Sequence, residues 1–186
     1  MTAKTTIEIP LSKVKLTKLV FYCVLFLAGG LWMIISNPQT SNPVFNNPFV
    51  KAVSAYGGVL MGILGIIFIG RKLFDNEPGL VLSEQGIIDN ASTYKFGLIP
   101  WSDISQIYDR TVQASITSKQ RFVTIGLENP DKYISRETNV LKRKLLQANA
   151  KNYGSPIHIS TNGLKTSHKE LLNLVNSYFE KYKQVD

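Results

Sequence analysis

Two stretches without a single charge constrain this chain more than anything else in it. Leu19–Ser36 (LVFYCVLFLAGGLWMIIS) runs for eighteen residues and Ala52–Gly70 (AVSAYGGVLMGILGIIFIG) for nineteen. At about 1.5 Å per residue, each reaches across the roughly 30 Å hydrocarbon core of a bilayer as an α-helix. A signal peptide fits poorly, because the first run is long for an apolar h-region and NPQTSNP follows it in place of a small-x-small cleavage site. Two such runs around a short polar turn predict a transmembrane hairpin, with helices over 19–36 and 52–70.

The loop over 37–51, NPQTSNPVFNNPFVK, holds three Asn-Pro pairs, which break helix and favour turns, and one cation. Lys4, Lys13, Lys15 and Lys18 precede the first run, and Arg71 and Lys72 follow the second. The excess of cations on that side puts residues 1–18 and the region 79–186 in the cytoplasm and the 37–51 loop on the outer, periplasmic side. Gly58, Gly62 and Gly65 stand at i, i+4 and i+7 of the second helix, a flat stripe that admits another backbone. It serves either packing against the first helix, through Ala28-Gly29-Gly30, or a homo-oligomer contact. Cys23 is the sole cysteine, which excludes an internal disulfide and a thiolate metal site.

From Gly79 the apolar pattern turns to period two with short turns. Strands are expected over Leu80–Ser83, Ile87–Asn90, Gly97–Trp101, Ile104–Gln113, Arg121–Glu128 and Ser155–Ser160. NPDKY reads as a break in the sheet. A basic helix, NVLKRKLLQANAK (Asn139–Lys151), has Asn139 or Thr138 as its cap and Val140, Leu141 and Leu145 as its apolar side. The last helix, Ser167–Lys183, opens on the capping box Ser167/Glu170 and carries a core stripe of Leu171, Leu174, Val175, Tyr178 and Tyr182. Upstream, the alternation in TTIEIPLSKVKL (Thr5–Leu16) suits either a strand added to a sheet edge or a basic lead-in to the membrane. The fold class is α+β: a helical hairpin followed by an antiparallel sandwich or barrel capped by a C-terminal helix.

The stretch LSEQGIIDNASTYKFGLIPWSDISQI resembles the opening of bacterial pleckstrin-homology-like (PH-like) domains, in which a Gly-Ile strand leads to a G-x-I-x-W-x-D-I element. Together with ENPDKYIS, LKRKLLQANAK, YGSPIHIS and the terminal S-x-x-E-L-L helix, the chain resembles small bacterial membrane proteins with two N-terminal helices and a PH-like tail. The resemblance implies a fold and a place, the bacterial inner membrane, but no reaction. It makes Trp101 and Asp103 fold markers: Trp101 packed at a sheet corner, Ser102-Asp103 capping the turn into the next strand.

Catalytic chemistry finds little support. There is no G-x-S-x-G, no phosphate-binding glycine loop and no G-x-G-x-x-G. His158 alternates with Ile157 and Ile159 and is expected to face solvent. His168 is ten residues away, in the first turn of the last helix, and no carboxylate cluster is evident beside either. No catalytic residue, metal ligand or cofactor is assigned. The net charge of +8 divides evenly, with seven Lys/Arg against three acids in 1–78 and fourteen against ten in 79–186, so no clustered nucleic-acid footprint exists. Leu80 to Tyr94 contains no Lys or Arg, which argues against phosphoinositide recognition through the first strand pair.

What remains is binding. Lys142, Arg143, Lys144 and Lys151 form a candidate surface for anionic lipid or a partner, although three consecutive residues cannot share one side of a helix. The reading is therefore a non-enzymatic inner-membrane protein presenting a cytosolic PH-like module to a protein partner or to the membrane surface. The alternative is an immunity protein against a membrane-acting secreted toxin, with the hairpin and outer loop as its contact.

Overall fold

The computed structural model describes residues 6–113 and 119–183; Lys4 and Thr5, named above, lie outside them. The chain forms two compact units. One runs from Ser12 to Asn76; the other joins the residues before Ser12 to those from Glu77 onward.

The first unit holds α1 (Lys13–Ser36), a single turn α2 (Pro43–Asn46) and α3 (Pro48–Leu73). Both long helices overrun the uncharged runs. The Asn-Pro pairs explain part of this. Asn47 Oδ1 accepts from Phe49 N at 2.9 Å and Val50 N at 3.3 Å, and Pro48 takes the first helical position, where its missing N–H is no loss. Asn42-Pro43 starts α2 in the same way. Asn37 ends α1 in the left-handed region at φ 39°, which asparagine tolerates. Pairs read as helix breakers are, in two cases here, helix starters.

α1 and α3 pack through their glycines. A Cβ on Gly62 would stand 2.7 Å from Leu27 N and 2.8 Å from Cys23 O, one on Gly58 3.3 Å from Phe26 O, and one on Gly65 would strike Cys23 Sγ. From the other side, a Cβ on Gly30 would stand 2.6 Å from Ala55 O. The Gly58/Gly62/Gly65 stripe is thus filled within the chain by α1. Lys13 Nζ donates to Leu73 O and, at 2.6 Å, to Asp75 O, neutralising the exposed carbonyls at the end of α3. The outward faces stay exposed and apolar, with Phe21, Phe26, Trp32, Met61 and Phe68 among them. Both helices are long and apolar enough to cross a membrane.

The second unit contains two antiparallel sheets. β1 (Ile7–Ile9), β2 (Leu80–Leu82), β3 (Gly86–Asp89) and β4 (Leu98–Pro100) lie in that order in the first; β5 (Ile104–Gln113), β6 (Lys119–Leu127) and β7 (Ile157–Ile159) form the second. They do not close into a barrel. β1 settles the two readings of the N-terminal segment, since Ile7 pairs with Leu82 and Ile9 with Leu80. The second sheet is bent where its register slips between Ile104 and Gln106, opposite Gly126, whose missing side chain leaves room for Gln106.

Three helices complete the unit. NPDKY does more than break the sheet: Asn129 caps α4 (Pro130–Ile134), a further Asn-Pro start. α5 (Val140–Tyr153) is capped by Asn139 Oδ1 on Leu141 N and Lys142 N and ends on Gly154 at φ 78°. α6 (His168–Lys183) has its capping box, Ser167 N donating to Glu170 Oε2 at 2.9 Å and Glu170 N to Ser167 Oγ at 3.3 Å. Leu171, Val175 and Tyr178 of α6 are buried with Leu80, Leu82, Ile87 and Ile99 of the first sheet and Val123, Ile125, Ile157 and Ile159 of the second. Leu174 and Tyr182 of the expected stripe are half-buried flanks.

Gly86 is the position least able to change. Its φ is 154°, and a Cβ would collide with Ile99 O and stand 2.7 Å from Ile99 C, backbone that cannot step aside. Gly86→Ala is expected to cost about 3 kcal/mol in thermal or urea unfolding of the second unit, the scale of strain at a special backbone position. Gly62→Ile is expected to separate α1 from α3, seen as a lower thermal midpoint of the detergent-solubilised full chain.

Candidate functional site

Three places bring chemically capable side chains together. The first is the corner between the sheets. The chain passes from β4 to β5 through a single 3₁₀ turn, Trp101–Asp103. Trp101 is 2% exposed; its Nε1 donates to Ser83 O at 2.9 Å, and its ring lies against Tyr178 and Phe179 of α6. Its polar edge is satisfied and its face is covered by the closing helix, the arrangement that lets an indole be buried. Asp103 does not cap this turn, which has no side-chain cap. Its Oδ2 instead accepts from Lys132 Nζ at 2.6 Å and from the Tyr133 hydroxyl. Those two hydrogen bonds, Lys132 first, hold its carboxyl below the usual carboxylate range. Burial and then the Asp103 bond push the Tyr133 phenol far above its ordinary value. Arg136 lies over the Tyr133 ring, 4.6 Å from its centroid. This is a latch tying α4 to the sheet corner, and Asp103 is spent in it.

The second place is the three-stranded sheet, with His158 on one face and His168, the first residue of α6, beside the other. Tyr108, Thr124 and His158 are cross-strand neighbours on the face away from the core. His158 does not face open solvent. Its Nδ1 is 2.9 Å from Thr124 Oγ1, and the rings of Tyr153 and Phe122 enclose it edge-on at 5.7 and 6.2 Å. The chain end of α5 folds over this face: Tyr153 O accepts from Tyr108 Oη at 2.9 Å and Arg110 Nη1 at 2.8 Å. Burial, with Arg110 adding a smaller repulsion, lowers the His158 pKa.

On the core-side row, Asp109 lies between Arg121, with which it forms an ion pair, and His168, whose Nε2 is 2.9 Å from its Oδ1. The Arg121 hydrogen bond, foremost, lowers the Asp109 pKa. Sequence reasoning missed this carboxylate beside His168, because 59 positions separate the two and only the packing of α6 beside β5 brings them together. An Asp–His pair could orient a general base. Here no hydroxyl or thiol nucleophile is bonded to His168 among the described residues, and Arg121 already occupies the carboxylate. No group of three His, Cys, Asp or Glu side chains converges among the described residues.

The third place is α5, and it reverses the expected apolar side. Val140, Leu141 and Leu145 are 57%, 69% and 49% exposed, and the helix is seated on Leu146, which is fully buried. The cations divide accordingly: Lys144 and Lys151 point outward, while Lys142 and Arg143 are half-buried at the flanks. The four residues predicted as one cationic surface therefore do not form one row. Leu141, Leu145 and Ala148 make an exposed apolar strip at i, i+4 and i+7, with Lys144 and Lys151 at i and i+7 beside it.

Comparison of the chain with protein-family models, with curated proteins and with solved structures finds no match.

The histidine box has a measurable signature. The unfolded chain takes up a proton at His158 near the ordinary value of 6.5, while the folded chain resists it to a lower pH. Folded stability should therefore fall as pH drops from 6.5 toward the depressed native value. His158→Gln, which keeps a partner for Thr124, is expected to flatten this slope when thermal midpoints are compared between about pH 7.5 and about pH 5.5.

Proposed function

We propose that this is a non-enzymatic bacterial inner-membrane protein whose helical hairpin holds a PH-like β unit at the cytoplasmic face, where the unit binds a protein partner or the membrane surface. The observation that carries the reading is the pairing of β1 with β2. β1 precedes both long helices in the chain and β2 follows them, yet the two share one sheet. Only an even number of crossings is compatible with that pairing, and α1 and α3 supply two. Lys13, Lys15, Lys18, Arg71 and Lys72 cluster at the sheet-linked ends of the helices, against Lys51 alone in the loop, which favours the cytoplasmic side for the β unit.

The PH-like part of the proposal rests on the resemblance in the sequence, and two antiparallel sheets with a closing C-terminal helix support it. A binding role is favoured because the polar groups that resemble chemistry already have structural partners: Asp103 with Lys132 and Tyr133, Asp109 with Arg121, His158 with Thr124. The large exposed side chains of α5 have no such assignment within the fold.

Sidedness is tested by cysteine labelling in a Cys23→Ser background. Ser41→Cys in the loop is expected to react with a membrane-impermeant maleimide in intact spheroplasts, and Asn162→Cys only after lysis. Labelling of Asn162→Cys from outside overturns the reading. Binding is tested by extracting the tagged full chain in mild detergent: a stoichiometric protein or retained anionic lipid is expected, and neither at any salt concentration would sink a binding role.

A further inference from the structure

The outward face of α5 has a composition that selects its occupant. Its apolar strip, Leu141, Leu145 and Ala148, is aliphatic and carries no aromatic residue. Beside it stand Lys144 and Lys151, with Lys142 and Arg143 on the flanks, and α5 contains no Asp or Glu. None of these four cations is ion-paired among the described residues. Protein-binding surfaces are enriched in aromatic residues and arginine and depleted in lysine at their centres. A helix with leucines along one strip and lysines along the next, lacking acids, is suited to the boundary between headgroups and acyl chains. We infer that this face of α5 docks onto the anionic lipid surface of the bilayer, with Leu141 and Leu145 entering the acyl boundary and Lys144 and Lys151 meeting headgroup phosphates. The inference rests on the membrane-tethered reading above and adds the partner.

Three features make the docking physically workable. The helix is rigidly mounted, because Leu146 is buried, Asn139 caps one end, and Tyr108 and Arg110 hold Tyr153 O at the other. A partly inserted helix must be held this way if the attached body is to take one orientation. The target is close by covalent connection, since residues 74–79 alone join α3 to β2. Six extended residues reach about 20 Å, so the bilayer is presented at a high effective concentration and weak contacts suffice. The charge is complementary, because a cytoplasmic leaflet is negative and attracts lysine within a Debye length.

The test uses the full-length chain in nanodiscs, in a Cys23→Ser background, with an environment-sensitive fluorophore on Ala148→Cys and spin-labelled lipids as depth quenchers. Blue-shifted emission and several-fold stronger quenching are expected in discs containing phosphatidylglycerol than in phosphatidylcholine discs. The difference should disappear with Lys144→Glu and Lys151→Glu together, or at about 1 M salt, where the screening length falls to about 3 Å. All these positions are exposed, so the variants should keep the thermal midpoint of the parent. A second probe on Ile63→Cys, at an exposed position of α3, reports the hairpin itself. Quenching at Ile63 without quenching at Ala148 overturns the docking and leaves the tethered module standing. Loss of quenching at both positions overturns both. Equal quenching at Ala148 in the two lipids, insensitive to charge reversal, overturns recognition of an anionic surface.

Discussion

The backbone ladder between β1 and β2 is the contact on which the rest of the architecture depends. It has only three residue pairs, Ile7 with Leu82, Glu8 with Val81 and Ile9 with Leu80. Yet it joins parts of the chain separated by both long helices. Without it the β unit would begin after the second helix, as an appendage on a single linker. With it, the helical unit is an insertion into the β unit, entered after Leu11 and left before Glu77. A Leu11–Leu164 bridge and a hydrogen bond from Lys165 N to Pro10 O extend the same attachment to the segment before α6. Such non-local closure carries an entropic cost of ordering that local hairpins avoid. The burial of Ile9 and Leu11 beside Leu80, Leu82 and Leu164 offsets it.

Several capable side chains of the β unit withdrawn from water have a partner, whereas His158 Nε2 and His168 Nδ1 are buried with none among the described residues. Trp101 has Ser83 O, Asp103 has Lys132 and Tyr133, and Ser155 bonds Ile125 O and Ile157 N. These contacts fix corners: the turn between the sheets, the seat of α4, the start of β7. Buried polar groups that are satisfied in this way specify one arrangement of the elements around an otherwise non-directional apolar core. The exposed leucines of α5 stand outside this pattern, which is why they read as a surface rather than as part of the core.

Much of the fold could be read from residues because its signals are local. Two uncharged runs give two helices; the Ser167/Glu170 box and Asn139 give two helix starts; alternation gives the strands. The misses have physical causes. An Asn-Pro pair is a turn signal and also an N-cap followed by a proline at the first helical position, and the sequence alone does not choose between them at Asn42, Asn47 or Asn129. The apolar side of α5 was misassigned because Leu145 and Leu146 are adjacent and only tertiary packing decides which of them turns inward. His158 alternates away from the core as expected, but its cover comes from Tyr153 at the end of α5 and Phe122 diagonally across on β6, which alternation along β7 alone does not reveal. The pairing of Asp109 with His168 needs the full fold to exist.

The chain's two tryptophans fall one in each unit. Trp32 lies on the outward face of α1, 57% exposed, and Trp101 is enclosed at the sheet corner with Nε1 bound to a carbonyl. Each unit therefore contains its own intrinsic optical reporter, one governed by the medium around the helices and the other by the integrity of the closing helix. A change that loosens α6 should shift only the Trp101 emission, and a change of lipid only that of Trp32. The protein thus separates spectroscopically what its sequence interleaves.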